Sequence, residues 1–163
     1  MNKAVFLDRD GVINRERGEH TWLLKDLELL PDVAEALIEI RKAGYLPIVI
    51  TNQSGIGLGL YDHGDVKRAH DHIAAELDRK GAAFTDIFYC PHHPQQGRCL
   101  CRKPGSLLIE RAIARYGIDP SASIMIGDRE RDVQAAEAAG IRGILVVANS
   151  PLLPLVKKEL SER

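Results

Sequence analysis

The chain has 163 residues and a formal net charge of −1, with 45% apolar and 28% charged positions. That length suits one domain with a substantial core, and the charge balance excludes the strongly basic surface of a general nucleic-acid binder or a membrane-surface protein. No run approaches the roughly 20 apolar residues of a membrane span, Asp8 comes too early for a signal peptide, and three cysteines confined to positions 90–101 suit a reducing interior.

Residues 3–7 read as an apolar strand ending at Asp8. Val33, Leu37 and Ile40 share one face of a helix predicted over 32–43, with Gly44 as its stop. Residues 46–50 are a β-branched run, a buried strand ending at Thr51. Val66, Ala69, Ile73 and Leu77 mark a second helix that closes near Gly81, and 87–89 is a short strand entering the cysteine loop. Leu108, Ala112 and Tyr116 predict a third helix before Gly117. A strand over 123–126, a short helix over 133–139 and a fifth strand over 143–147 follow. Pro151 and Pro154 then break a tail that ends in a small helix. This alternation predicts an α/β fold, a doubly wound and mostly parallel sheet covered on both faces. Ligands bind such sheets beyond the carboxyl ends of the strands.

The unusual polar residues fall at those ends. Asp8-Arg9-Asp10-Gly11 places two carboxylates two positions apart, facing one way in extended chain. Adjacent carboxylates repel unless a cation sits between them, and Mg²⁺ takes hard oxygen ligands together with phosphate oxygens. A solvated turn uses the same residue types. Thr51-Asn52-Gln53-Ser54-Gly55 offers a hydroxyl, amides and flexible N–H groups, a phosphate-cradling composition that also serves as a cap or polar turn. Lys103 is placed to neutralise phosphoryl oxygens and Arg102 to fork onto a second anionic group. Asp128 is placed to complete a Mg²⁺ site, while Asp132 lies near a helix start, where capping explains it equally well.

In chain order, these four segments resemble the motifs of the haloacid dehalogenase-like phosphatase superfamily: Asp-x-Asp, Ser/Thr, Lys and a late acidic pair. The resemblance runs from Asp8 to Asp132. It implies a Rossmann-like sheet and Mg²⁺-dependent phosphomonoester hydrolysis through an aspartyl-phosphate. Asp8 would be the nucleophile, and Asp10 would protonate the leaving oxygen and then activate water. Thr51 and Lys103 would hold the transferring group, with Mg²⁺ on Asp8, the Asp10 backbone carbonyl and Asp128.

Cys90, His92, Cys99 and Cys101 read as a closed Cys₃His zinc site, with His93 as the second candidate for the nitrogen ligand. Tying this loop is expected to fix Arg102 and Lys103 over the phosphate. His70 and His72 look structural or solvated, and His20 and His63 carry no pattern. With the zinc loop included, the motifs look like those of the D-glycero-D-manno-heptose 1,7-bisphosphate phosphatases, with the histidinol-phosphate phosphatases as near relatives.

Neither family has a separate cap domain, and no insertion here is long enough for one. Loops near 14–22, 54–62 and 90–101 must then shape the pocket. Substrate-binding candidates are Glu16, Arg17, Gly18, Glu19, Asn52, Gln53, Ser54, Arg102 and Arg129. The three arginines suit a bisphosphorylated sugar, and Glu16 and Glu19 suit the ammonium of histidinol phosphate. The heptose bisphosphate is the favoured reading. A phosphotransferase or phosphomutase would need a means of excluding water. A non-enzymatic zinc module leaves Asp8, Asp10 and Lys103 unexplained. The expectation is a single domain over 1–163, a cytoplasmic monomer acting on a small phosphorylated metabolite, with no nucleic-acid or membrane partner.

Overall fold

The computed structural model describes residues 1–161. The opening apolar run becomes β1 (Lys3–Leu7), and Ala4 to Leu7 are completely buried because β1 lies in the middle of the sheet. It pairs in parallel with β2 (Tyr45–Asn52) on one side and β4 (Ile124–Gly127) on the other. β3 (Asp86–Cys90) and β5 (Arg142–Leu145) close the edges, giving the order β3-β2-β1-β4-β5, parallel throughout.

Alternate side chains of each strand feed two separate cores. Val5, Leu7, Val49 and Ile126 pack with α1 (Val33–Lys42), α2 (His63–Asp78) and α5 (Leu153–Ser161). Ala4, Phe6, Ile48, Ile50 and Met125 pack on the opposite face with α3 (Leu107–Tyr116) and α4 (Glu130–Ala138). Burying a side chain such as Phe6 or Ile50 stabilises the sheet by about 1.5–3 kcal/mol each. No helix among the described residues is long and apolar enough to cross a membrane.

The boundaries differ from the sequence reading where polar residues continue an element. β2 runs on through Thr51 and Asn52, which pair with Tyr89 and Cys90. α2 starts at His63 because the Asp62 carboxylate accepts the Asp65 N–H (2.8 Å) and Asp65 returns the contact to the Asp62 N–H (3.0 Å), a capping box. Pro154 does not break the tail. It lies in the first turn of α5, where a missing N–H leaves no helical bond unmade.

Candidate active site

Because the strands are parallel, their carboxyl ends lie on one edge, and β1 and β4 run directly into Asp8 and Asp128. Carboxylate oxygens of Asp8, Asp128 and Asp132 all lie within 4.8 Å of one another. Two glycines admit them. A Cβ on Gly11 would come within 2.5 Å of Asp128 Oδ2, and one on Gly127 within 2.2 Å of Asp132 Cβ. Lys103, only 1% exposed, donates from Nζ to Asp8 Oδ1 (2.8 Å) and the Ile50 carbonyl (2.8 Å), and its ammonium lies 2.6 Å from Asp132 Oδ1. Asp132 also accepts the Arg129 N–H (3.0 Å), so it caps α4 and holds the lysine at once.

One ammonium does not balance three carboxylates, and both oxygens of Asp128 are buried without a hydrogen-bond partner, the half-exposed Arg129 Nε standing off at 3.7 Å from Oδ2. Burial pushes Asp8 up to about 7, against the opposing pull of Lys103 and with a further push from Asp132. Burial likewise raises Asp128. Burial would lower Lys103, but Asp8 and Asp132 outweigh it and hold the ammonium charged. Unpartnered hard oxygens with an excess of negative charge fit a small divalent cation.

Asp10 is set differently. Its Oδ1 accepts from Arg9 Nη2 (2.9 Å) and Asn14 Nδ2 (3.0 Å), and its Oδ2 accepts from Gln53 Nε2 (3.3 Å). Burial works to raise its pKa, but the Arg9 guanidinium and these bonds prevail and hold it below the usual range. Arg9 itself is 1% exposed, with Nη2 donating to the Thr21 carbonyl (2.5 Å) and Nη1 lying 3.3 Å from His70 Nε2. Burial first, and then Arg9, pushes His70 down to about 4, so the neutral ring accepts from the guanidinium. His70 is structural, as expected, and the charge it supports is Arg9.

The carboxylates open into a cavity of about 300 Å³, lined also by Glu16, Gly18, Glu19, His20, Thr21, Asn52, Gln53, Ser54, Arg102, Arg129 and Arg131. Arg17 is not part of this lining. It pairs with Asp26 (3.3 Å) and Glu19 (3.7 Å), which correct its assignment to the substrate. Thr51 is also outside the lining and 1% exposed, its hydroxyl accepting from Gln53 Nε2 (2.9 Å). The loop expected at 90–101 contributes none of the lining, and Arg102 at its exit contributes instead. Sequence reasoning missed His20, Thr21 and Arg131. Arg102 Nη1 and Arg131 Nε are buried without partners. The only sequence signal for Arg131 was a basic residue beside Asp132, and His20 gave none.

Cys90, His92, Cys99 and Cys101 come together, with His92 Nδ1 3.4 Å from Cys90 Sγ and 3.2 Å from Cys101 Sγ. The three cysteines are free thiols, and this set of three sulfurs and one imidazole fits a soft, tetrahedral ion. His93 is excluded from the cluster because its ring accepts the Gln95 N–H (3.1 Å) and caps the turn Pro94–Gln96. The loop holds Arg102 directly, through an Arg102 N–H donated to Cys99 Sγ (3.3 Å). Lys103 is held elsewhere. Asn52 accepts its N–H (3.0 Å) and donates to its carbonyl (3.2 Å), so the amide expected to meet substrate clamps the lysine backbone.

A HAD-hydrolase-like family model matches residues 100–150. The D-glycero-alpha-D-manno-heptose-1,7-bisphosphate 7-phosphatase of Photorhabdus laumondii is 40% identical over 156 residues, covering 91% of this chain and 85% of that protein. The D-glycero-beta-D-manno-heptose-1,7-bisphosphate 7-phosphatase of Haemophilus ducreyi is 37% identical over 151 residues, covering 89% and 82%. The crystal structure of the D,D-heptose 1,7-bisphosphate phosphatase from B. bronchiseptica, complexed with magnesium and phosphate, superposes with a TM-score of 0.91 at 30% identity, covering 99% of both chains. Strand order, carboxylate placement and these likenesses agree: the chain is a phosphatase of the haloacid dehalogenase-like superfamily and belongs to the family of the heptose-1,7-bisphosphate 7-phosphatases.

Proposed function

We propose that the chain hydrolyses one phosphomonoester of a bisphosphorylated sugar, the heptose 1,7-bisphosphate for which its relatives are named, with Asp8 as the nucleophile. The observation that carries this reading is the pairing of two groups in one cavity: Asp8, which lines it and is paired with the buried Lys103 ammonium, and the N–H groups of Arg102 and Arg131 that lack hydrogen-bond partners. An Asp8 oxygen attacks phosphorus, and the bond to the sugar oxygen breaks as Asp10 protonates that oxygen. A water then gives its proton to Asp10 and attacks the aspartyl-phosphate, returning Asp8 and releasing phosphate. The arriving phosphate dianion raises the proton affinity of Asp10 by like-charge repulsion, which supplies the acid. Lys103 and the Thr51 hydroxyl hold the phosphoryl group as its charge spreads.

Mg²⁺, held by Asp8, the Asp10 backbone carbonyl and Asp128, would neutralise phosphoryl oxygens and keep Asp8 ionised. The unpartnered Asp128 oxygens support that placement, as does the related structure solved with magnesium and phosphate. A histidinol-phosphate substrate would need a free carboxylate for its ammonium. Glu16 instead accepts the Gly18 N–H (2.7 Å) and Glu19 pairs with Arg17, whereas the arginine N–H groups lack partners. Release rates on heptose 1,7-bisphosphate, histidinol phosphate and fructose 1,6-bisphosphate test the choice. The heptose should give the highest kcat/KM, and a preference for histidinol phosphate would overturn it.

Zn²⁺ in the Cys90, His92, Cys99 and Cys101 site would be structural, since four protein ligands leave no open position. Purified protein is expected to carry about one Zn²⁺ per chain, as one Cys₃His site requires. Because this loop holds Arg102 while Asn52 holds Lys103, chelation or Cys99→Ser should raise KM for the bisphosphate and change p-nitrophenyl phosphate hydrolysis far less. Metal analysis with paired kinetics checks this. Zinc-free protein with unaltered kinetics would remove the assignment.

A further inference from the structure

Gln53 is 3% exposed and makes three side-chain contacts that phosphate binding does not explain. Its Nε2 donates to the Thr51 hydroxyl (2.9 Å) and to Asp10 Oδ2 (3.3 Å), and its Oε1 accepts from the Tyr61 hydroxyl (3.0 Å). The orientation of the amide is dictated by its neighbours. An ionised carboxylate only accepts, so the NH₂ faces Asp10 and the oxygen faces the phenol.

Tyr61 is built to reach this amide. It is 6% exposed, its ring stacks on Trp22 at 5.5 Å and 25°, and burial raises its pKa, which keeps the phenol protonated. Position 55 is bare to admit it. A Cβ on Gly55 would lie 2.1 Å from the Tyr61 ring. Asp10 Oδ1 is already occupied by Arg9 and Asn14, so Oδ2 is the oxygen with capacity to carry a proton. Gln53 makes the one side-chain hydrogen bond to that oxygen among the described residues.

We propose that Tyr61 is a positioning residue for proton transfer, acting through Gln53 to hold Asp10 Oδ2 and the Thr51 hydroxyl in register. The inference rests on the acid–base role given to Asp10 above, and it adds a residue from the loop at 54–62 that touches no reacting atom. Proton transfer tolerates little misalignment, so a loosened amide lowers the rate without loosening substrate binding.

Tyr61→Phe keeps the ring and its stacking and removes only the hydroxyl. Its kcat on the sugar bisphosphate is expected to fall about 5- to 10-fold, the size of one neutral hydrogen bond, with KM and Tm unchanged. Pre-steady-state work with p-nitrophenyl phosphate separates positioning from bulk structure, because its good leaving group needs little acid help. Phosphoenzyme formation should proceed at the wild-type rate while its hydrolysis slows, giving a burst of p-nitrophenol. In a Gln53→Met background, Tyr61→Phe should cost nothing more. A wild-type kcat in Tyr61→Phe, a loss confined to KM, or an additive loss in the double variant would overturn the inference. Asp10→Asn is the parallel control. If it hydrolyses phosphoenzyme normally, the acid–base reading itself fails; if it stalls while Tyr61→Phe turns over normally, only the positioning role fails.

Discussion

Asp8→Asn should abolish turnover, with kcat falling by on the order of 10⁵-fold or more, as for loss of a covalent nucleophile elsewhere. An amide has the shape of the carboxylate but cannot accept the phosphoryl group. The fold should survive with Tm at or above the wild type, because Asp8 is a desolvated charge among like charges, its pKa pushed up to about 7 by burial. The Asn oxygen can still accept from Lys103. Asp10→Asn should also be nearly inactive but should accumulate phosphate covalently on Asp8, since the base proposed to activate water is lost. Kinetics, thermal melts and mass spectrometry of the two variants check this pair. Wild-type turnover in Asp8→Asn would remove the nucleophile assignment.

Lys103 and Arg102 are neighbours that should fail in different ways. Lys103→Ala is expected to lower kcat on every substrate by about 10²- to 10³-fold, the usual cost of one transition-state donor. It should also unfold more easily, because Asp8 and Asp132 are left buried and unpaired, at a cost of about 3–5 kcal/mol. For a chain of this size that lowers Tm by roughly 6–20 °C. Arg102→Ala should leave Tm almost unchanged and raise KM for the bisphosphate, with little effect on p-nitrophenyl phosphate. Measuring both variants on both substrates decides the matter. A proportional loss on both substrates would refute the division of labour.

Two strand ends were legible in the sequence because an apolar run is stopped by a polar residue, Leu7 by Asp8 and Gly127 by Asp128, whereas β2 runs two residues past its apolar run to Asn52. Parallel strands place those stops on one edge, so Asp8 and Asp128 come together as the alternation of elements implies. The cysteine cluster was legible because three of its ligands are of a kind rarely grouped by chance. Arg9 was not, because a charged residue between two aspartates has no periodicity, and its distant partners are a histidine 61 positions away and the Thr21 carbonyl. Tyr61 was hidden for the same reason. It sits in a glycine-rich loop, and its partner Gln53 was read as facing substrate. Asp132 could not be assigned to capping alone because it caps α4 and also pairs with Lys103. Arg17 looked equivalent to Arg102, and only the surrounding acids Glu19 and Asp26 draw it away from the cavity.

The placement of β1 has a consequence for how the chain is made. Its two neighbours in the sheet come from very different times in synthesis: β2 soon afterwards, and β4 much later, where the Ala4 N–H meets the Ser123 hydroxyl 119 positions away. A growing chain can therefore assemble the β3-β2-β1 half early, but it carries an open and largely apolar strand edge until the segment around residues 124–127 leaves the ribosome. Asp128 and Asp132 arrive with that same segment, so a nascent chain holds Asp8 long before it holds the rest of the carboxylate cluster. Closing the sheet and completing the catalyst are one event, and a chain released before β4 would be inert and prone to associate through its exposed edge.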